Sequence, residues 1–255
     1  MRQQKPAVRA WAVVFWLLVW QGASLALRTI YPHGALLLAS PIDALRRLFE
    51  LALTAAFWQT VGISAARILG GFLVSCVLAL GLAALSARFR RVEELLSPLV
   101  AAVKAVPVAS FIILALVWLS AGSVPILTGL LIVMPVVYAN VTEGVDSTDP
   151  QLLEMAHMFG WSETKIWRRV LLPSALPAFL TACEACVGMC FKATIAAEVI
   201  GVPRNAMGTQ LYNAKVYLET DALLAWTVVI IALSMLTEKL LGLAFERGKK
   251  RVHHP

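Results

Sequence analysis

The sequence predicts an all-α, polytopic membrane protein with about six transmembrane helices. Of its 255 residues, 60% are hydrophobic and 15% are charged, whereas a soluble globular domain is typically ~45–50% apolar and ~25% charged. The apolar residues form long runs separated by short polar segments, and the basic residues stand at the ends of those runs. Too little sequence remains outside the runs for a large water-soluble domain, so one membrane domain is expected.

Six segments have the length of a membrane-spanning helix, which needs ~20 mostly apolar residues. They are residues 10–28, 58–86, 94–120, 125–140, 174–200 and 221–245. The third contains Pro98 and Pro107. Because proline removes a backbone donor and bends a helix, this span should be kinked or broken. Residues 42–53 are amphipathic and should form a short helix lying at the interface.

The first apolar run follows three basic residues, Arg2, Lys5 and Arg9. A basic start and an apolar middle also describe a signal peptide. This run is long and rich in tryptophan, and no small-residue cleavage site follows it cleanly. A retained signal-anchor helix is the favoured interpretation, with a cleaved signal peptide as the alternative.

The basic residues indicate membrane topology rather than nucleic-acid binding, although the net charge is +7. With the N-terminus placed in the cytoplasm, the inner segments hold Arg2, Lys5, Arg9, Arg88, Arg90, Arg91, Lys165, Arg168, Arg169, Arg247, Lys249, Lys250 and Arg251. The outer segments hold only Arg28, Arg46, Arg47, Arg204 and Lys215. Cytoplasmic loops carry the excess of Lys and Arg. The asymmetry therefore predicts that both termini are cytoplasmic and that the number of spans is even.

All four cysteines fall in predicted spans, and Cys183, Cys186 and Cys190 share one helix face at i, i+3 and i+7. A metal site is one interpretation. The other is that these small residues let helices approach closely, as membrane helix interfaces prefer. No histidine stands near enough to complete a usual zinc ligand set, so no metal site is predicted.

The segment 149–173 carries the strongest functional signal. Asp149 and Pro150 begin a helix as cap and first helical residue, and Gly160 suits the left-handed position that ends it. Ser162 should cap a second helix over 163–171. Its residues Ile166, Trp167, Val170 and Leu171 form one apolar face. Two short helices bent at Gly160 are expected between two spans, either docking into a soluble partner or lying on lipid headgroups.

The spacing within this segment resembles the EAA loop of binding-protein-dependent ABC importer permeases. The family pattern is Glu-Ala-Ala, three residues, Gly, nine residues, Ile-x-Leu-Pro. Here it is matched by Glu154-Met155-Ala156, Gly160 and Val170-Leu171-Leu172-Pro173. The departures at Met155 and Val170 keep apolar side chains, and the spacing is intact.

The resemblance extends over about 58–245. Further matches are Lys104-Ala105-Val106-Pro107, which resembles the basic-x-x-Pro entry of the central spans, and Ala197-Glu198-Val199-Ile200 and Ala206-Met207-Gly208, which resemble features after the loop. With the extra N-terminal span, these are similar to the nitrate, sulfonate and taurine branch. Met207-Gly208 matches only in part.

The resemblance implies a type I ABC importer transmembrane domain over 58–245 with a coupling loop at 149–173. An N-terminal part, 1–57, precedes it, and a basic cytoplasmic tail, 246–255, follows it. The residues that would dock the ATPase are Glu154, Ala156, Gly160, Leu172 and Pro173.

The implied assembly is a multi-pass complex in the bacterial inner membrane: a homodimer of this chain, two cytoplasmic ATPase subunits and an extracytoplasmic solute-binding protein. The partner ATPase would bind ATP and Mg, and this chain would be non-catalytic, without cofactors. It has no phosphate-binding loop of the Gly-x-x-x-x-Gly-Lys-Ser/Thr type.

Charged residues inside the spans are candidates for the translocation path. A charge at bilayer depth costs about 2.5–3.5 kcal/mol on insertion scales, and such groups usually face a bundle interior or a water-filled path. Lys192 and Glu184 lie two turns apart on one face of the fifth span, and Glu198 lies near its outer end. Lys104, in the third span, is a further candidate, although a long lysine side chain can also snorkel to the interface. The alternative is that Glu184 and Lys192 only pair with other helices and hold the bundle together.

Two other function classes fit the sequence less well. A self-contained secondary transporter often shows internal repeats and paired broken helices, and no convincing repeat relates the halves of this chain. An intramembrane enzyme would need a catalytic arrangement inside a span, and the histidines lie outside the spans. The substrate stays open among nitrate, sulfonates, taurine, and vitamin-like or pyrimidine compounds.

Overall fold

The computed structural model describes residues 10–252, and all regular structure in that range is helical. The basic residues Arg2, Lys5 and Arg9 lie outside the described residues. The helices are α1 (Ala10–Ile30), α2 (Gly34–Leu37), α3 (Pro41–Ala52), α4 (Ala55–Arg88), α5 (Arg90–Ala105), α6 (Val108–Trp118), α7 (Val124–Asp146), α8 (Pro150–Met158), α9 (Glu163–Ile166), α10 (Leu172–Gly201), α11 (Met207–Val216) and α12 (Thr220–Val252). A π-helical turn, Trp167–Leu171, joins α9 to α10.

Five helices in the described part of the chain are long and apolar enough to cross a membrane, and α5 with α6 makes a sixth span if the bent pair counts as one. The pair is bent by 105°, with Val106 and Pro107 between its halves. The predicted break in the third span is therefore confirmed at Pro107. Pro98, by contrast, lies inside α5 without ending it.

The core is built around α7, which packs against α4 and α10. Small residues allow the close approach. A Cβ built on Gly71 would lie 2.8 Å from the Ile126 carbonyl oxygen, and one on Gly129 would lie 3.2 Å from Cys190 Sγ. All four cysteines are free and buried, and this packing supports the interpretation that they are small interface residues.

The N-terminal helices α1 to α3 form a corner that joins the bundle where α3 packs against α12. The main packing partners of α1 are α2 and α3. Ser24 Oγ donates to the Leu38 carbonyl at 2.8 Å, and Arg28 forms an ion pair with Asp43. Ser40 caps α3 reciprocally with Asp43, which confirms the predicted short amphipathic helix. The Ser40 hydroxyl and the Arg28 guanidinium hold the pKa of the Asp43 carboxyl below its ordinary value.

Three boundaries differ from the prediction. Helix α7 continues past residue 140 to Asp146, because the buried Val141 and Val145 extend its apolar face. The predicted tail at 246–255 starts inside α12, which reaches Val252. The second short helix does not end before the next span: α9 runs through the π-helical turn into α10, and together they form one long helix, Glu163–Gly201.

The π-helical turn explains how that helix passes Pro173. A proline ring inside an α-helix clashes with the carbonyl four residues earlier. Here the turn immediately before Pro173 is wound more widely, with Leu172 N donating to the Trp167 carbonyl in the i→i+5 pattern of a π-helix. The wider turn leaves room for the ring, so the helix continues.

Candidate functional site

The bend in the 149–173 loop is fixed by caps at both ends of α8. Asp149 accepts a hydrogen bond from Gln151 N at 2.9 Å. At the other end Gly160 has φ +62°, a left-handed conformation. Gly160 N donates to the His157 carbonyl at 2.9 Å and Trp161 N to the Ala156 carbonyl at 3.1 Å. This is a Schellman motif, so the predicted role of Gly160 as the end of the first helix is confirmed.

The two arms of the 149–173 loop share a small core of their own. Ala156 is fully buried against Ile166 and Val170, and Leu153 and Trp161 pack around them. Within the predicted apolar face of the second helix, Ile166 and Val170 pack against the first helix. Trp167 packs against the main core instead, and Leu171 contacts both. Ser162 occupies the cap position as predicted, but its side chain makes no capping hydrogen bond. Ala156 is fully buried in this core, so its side chain supports the surface of α8 from inside, and its expected role in docking stays a prediction.

The C-terminal end of α8 carries exposed apolar side chains. Met158 is 88% exposed and Phe159 is 72% exposed, and Met155 is exposed beside them. Glu154, Gly160, Leu172 and Pro173 also lie at the surface. Sequence reasoning singled out the motif residues and missed Met158 and Phe159, since apolar residues at the end of a short helix are not distinguishable from core residues by pattern.

The 149–173 loop contacts the bundle through an exposed ion pair, in which Arg88 Nη1 at the end of α4 lies 3.5 Å from Glu163 Oε2. A groove of about 310 Å³ lies between the end of α4 and the π-helical turn and includes Trp167 and Leu171. The loop therefore lies at the base of the spans, beside the end of α4 and joined to α10 through the π-helical turn.

Glu198 lies in a buried polar network near the end of α10. Ser64 Oγ donates to its carboxylate at 2.8 Å, Gly208 N donates at 3.0 Å, and Arg67 Nη1 lies 3.4 Å away. Met207 N in turn donates to Ser64 Oγ at 2.9 Å. Helices α4, α10 and α11 thus meet at one fully buried carboxylate.

This network corrects the expectation that Glu198 lines the path, because its carboxylate is buried and already hydrogen-bonded. It also explains the partial motif at 206–208. A Cβ built on Gly208 would collide with Glu198 Cβ and would lie 2.7 Å from the Ile195 carbonyl oxygen and from Val199 N. Only glycine fits at this position. Sequence reasoning missed Ser64 as a partner, since a lone serine in a long span carries no distinguishing pattern.

Two predicted path residues, Glu184 and Lys192, lie on one uncovered face of α10, with Gly188 between them. No hydrogen bond or ion pair joins either side chain to another residue in the described part of the chain. Glu238 of α12 leans over the same face: its Oε1 would lie 2.7 Å from a Cβ built on Gly188. We call Glu184, Lys192 and Glu238 the charged strip. Sequence reasoning missed Glu238.

Lys104 lies in a different place, a groove of about 440 Å³ between α5 and α7. Glu93, Glu143 and Asp146 are the acidic residues that line this groove, and Tyr138 is at its wall. Lys104 is exposed there. Lys104 and the charged strip therefore belong to separate surfaces of the single chain.

Comparison with known proteins agrees with this architecture. The chain is 28% identical over 216 residues to the taurine transport system permease protein TauC of Escherichia coli (strain K12), covering 82% of this chain and 78% of that protein. It is 28% identical over 222 residues to the putative aliphatic sulfonates transport permease protein SsuC of the same organism, covering 86% and 82%. A probable ABC transporter permease protein of Brucella melitensis is 26% identical over 215 residues, covering 84% and 87%.

The fold is similar to a solved structure described as an amino acid ABC transporter with histidines. The TM-score is 0.57 at 17% identity, with 74% of this chain and 90% of that chain covered. Residues 71–248 match the family model of the binding-protein-dependent transport system inner membrane component, a range that contains α5 to α11, about half of α4 and most of α12. The chain belongs to that family and is the permease component of an ABC transporter.

Proposed function

We propose that two copies of this chain form the translocation path of an importer and that the 149–173 loop of each copy docks on a cytoplasmic ATPase subunit. The observation that carries the docking role is the uncovered apolar tip at Met158 and Phe159, on a helix pair held rigid by its own core. An exposed apolar cluster on a rigid element is the kind of surface that a partner groove covers. The ATPase would bind ATP and Mg, and this chain would supply no catalytic group.

The path follows from the charged strip. Charged groups at membrane depth usually face a bundle interior or a water-filled cavity, and in a single chain the face that holds Glu184 and Lys192 is uncovered. A second copy placed opposite this face would enclose it. Lys104 and its polar groove would lie nearer the end of the path at the base of α7. Glu198 has no place in this proposal.

The proposed substrate is a small anionic or polar solute, of the nitrate, sulfonate, taurine or vitamin- and pyrimidine-like type. Two relatives are named for taurine and for aliphatic sulfonates, and Lys192 provides a positive charge on the proposed path. An extracytoplasmic solute-binding protein would deliver the substrate. With both termini in the cytoplasm, the 149–173 loop lies on the ATPase side of the membrane.

The docking role is tested by changing the bend and the tip. Gly160→Val introduces a β-branched side chain at φ +62°, where a residue with a Cβ costs about 1–2 kcal/mol. No atom lies within 4 Å of a Cβ built there, so the effect arises from backbone conformation rather than from a clash. We expect Gly160→Val and Glu154→Lys to weaken transport-coupled ATP hydrolysis in proteoliposomes that contain the partner subunits, and to leave membrane insertion and dimer formation intact.

Matched controls separate docking from folding. Gly160→Asn should retain coupling, because asparagine tolerates the left-handed region. The pair Met158→Ser and Phe159→Ser should reduce co-purification of the ATPase, whereas Leu95→Ser, which alters an apolar side chain of α5 that is 74% exposed, should not. Full coupling in Gly160→Val together with full co-purification in the tip variants would refute the docking role.

The path is tested by thiol labelling, since the four native cysteines are buried and give a low background. Lys192→Cys and Glu184→Cys should react in the assembled complex with a charged, water-soluble maleimide. Leu18→Cys on α1, whose main packing partners are only α2 and α3, serves as the lipid-facing control and should stay unreactive. If Lys192→Cys reacts with the maleimide no faster than Leu18→Cys does, the charged strip does not face water.

A further inference from the structure

We propose a binding site for an anionic phospholipid headgroup beside the π-helical turn. The site is a groove of about 680 Å³ lined by Ser162, Thr164, Lys165, Arg168, Arg169 and Pro173, which we call the basic groove. Half of its lining residues are cationic, two carry hydroxyl groups, and none is acidic. The ligand is the phosphate of a lipid such as phosphatidylglycerol, and nothing in the importer function requires it.

The cations of the basic groove are available to a ligand. Arg168 and Arg169 make no ion pair in the described part of the chain, and both are exposed. The nearest carboxylate in sequence, Glu163, is paired instead with Arg88 at 3.5 Å. The Lys165 ammonium lies 4.2 Å from the centroid of the Trp161 ring. None of the three lining cations is therefore neutralised by a carboxylate in the described part of the chain.

The groove brings these groups together across about one helical turn. Lys165 and Arg169 are four residues apart, as are Thr164 and Arg168, and all four residues line the same groove. The π-helical turn, Trp167–Leu171, contains both arginines. Because a guanidinium presents a planar fork of donors, an arginine pair can hold phosphate oxygens in two-point contacts, and a hydroxyl can donate to a remaining oxygen.

The position of the groove favours a lipid over other anions. Its last lining residue, Pro173, is in the first turn of α10, which continues as a span of the bundle. The groove therefore opens where the helix enters the bilayer, at the level of the headgroups. Basic pockets at such entrances bind anionic headgroups, and each Lys or Arg near the surface contributes an attraction of about 1 kcal/mol. The apolar tip that we assign to the ATPase, Met158 and Phe159, is not part of the groove lining, and Pro173 is the one lining residue that was also expected to dock the ATPase.

The experiment compares retained lipids by native mass spectrometry of the purified chain, released from nanodiscs that contain equimolar phosphatidylglycerol and phosphatidylcholine with the same acyl chains. We expect phosphatidylglycerol to be retained over phosphatidylcholine by about fivefold or more, the ratio that corresponds to one basic contact. Arg168→Gln with Arg169→Gln should bring the ratio close to one, and Arg168→Lys with Arg169→Lys should preserve most of it.

The matched control is Arg90→Gln with Arg91→Gln, which removes two positive charges from the neighbouring start of α5 outside the groove. This variant should keep the lipid preference. An equal loss in both glutamine pairs would mean that overall charge, not the groove, selects the lipid, and no loss in either would remove the site; both outcomes overturn the proposal. A third outcome would also overturn the proposal: Arg168→Gln with Arg169→Gln abolishes co-purification of the ATPase but leaves the lipid ratio unchanged. In that case the groove would bind an acidic surface of the ATPase and not a lipid.

Discussion

Replacing Gly208 by alanine tests whether the Glu198 network holds the helix ends together. The added Cβ would collide with Glu198 Cβ and would lie 2.7 Å from both the Ile195 carbonyl oxygen and Val199 N. Two of these neighbours are backbone atoms of α10, which cannot rotate away. Helix α11 must therefore move off α10, and the hydrogen bond from Gly208 N to the carboxylate, now 3.0 Å, is lengthened or lost.

The expected cost is the sum of two effects. Overpacking a tight contact destabilises by about 1–3 kcal/mol, and a hydrogen bond to a charged group contributes about 1.5–3 kcal/mol. The two together give about 2.5–6 kcal/mol. At about 2–4 °C per kcal/mol for a chain of this size, the lower end corresponds to a fall in Tm of about 5–10 °C.

The assay is the Tm of the detergent-purified chain, followed by loss of the monodisperse peak in size-exclusion chromatography. Gly62→Ala is the matched control, because nothing lies within 4 Å of a Cβ built at Gly62, which precedes Ser64 on α4. That variant should leave Tm unchanged or raise it slightly, since alanine favours a helix. If Gly208→Ala lowers Tm no more than Gly62→Ala does, the network is not the attachment that the geometry describes.

Three further predictions concern other contacts. Ser64→Ala removes the hydroxyl that accepts from Met207 N and donates to Glu198, and should lower Tm, with Ser75→Ala on the same helix as the comparison; equal Tm values would contradict a special role for Ser64. The pKa of Asp43 is lowered mainly by the Ser40 hydroxyl, so its carboxylate stabilises the α1–α3 corner at pH values above its unfolded pKa of about 4. This contribution is lost as the pH falls through the lower pKa of the folded state. Amide hydrogen exchange at residues 40–43, corrected for intrinsic rates, should therefore accelerate in acid in the wild type and change little in Asp43→Asn. The Arg88–Glu163 pair is exposed on both sides, so a double-mutant cycle should give a coupling energy below about 1 kcal/mol, and a value several times larger would show that the pair is shielded by something bound over it.

The spans and the bend of the 149–173 loop could be predicted from the sequence because they depend on local features. Apolar length, the proline at Pro107 and the left-handed glycine at Gly160 each act within a few residues, and each is found where the pattern predicts it. The motif spacing also gave the family. Local rules were less reliable at Pro173, where a π-helical turn accommodates the proline. The sequence pattern placed the boundary between the 149–173 loop and the fifth span at this residue.

The parts that the sequence could not supply depend on long-range contacts. Glu198 had the pattern of a path residue, and only its distance to Ser64, far away in the chain, identifies it as a buried link. Glu238 and Lys192 belong to one strip because α12 packs on α10 at Gly188. Likewise, Ala156 and Met158 are neighbours on one short helix, and which of them faces outward is decided by the packing of α9 and the π-helical turn.

Because the helix is continuous from Glu163 to Gly201, a tilt at its loop end also displaces its opposite end. Its α10 part, 30 residues long, measures about 45 Å at 1.5 Å per residue. A tilt of about 5° around its lower end would displace the far end by about 4 Å, by simple geometry on that length. Glu198 connects that far end to α4 and α11 through its hydrogen bonds with Ser64 and Gly208. The ends of these three helices would therefore move together. A small tilt that starts at the loop would widen or narrow the bundle at its opposite end.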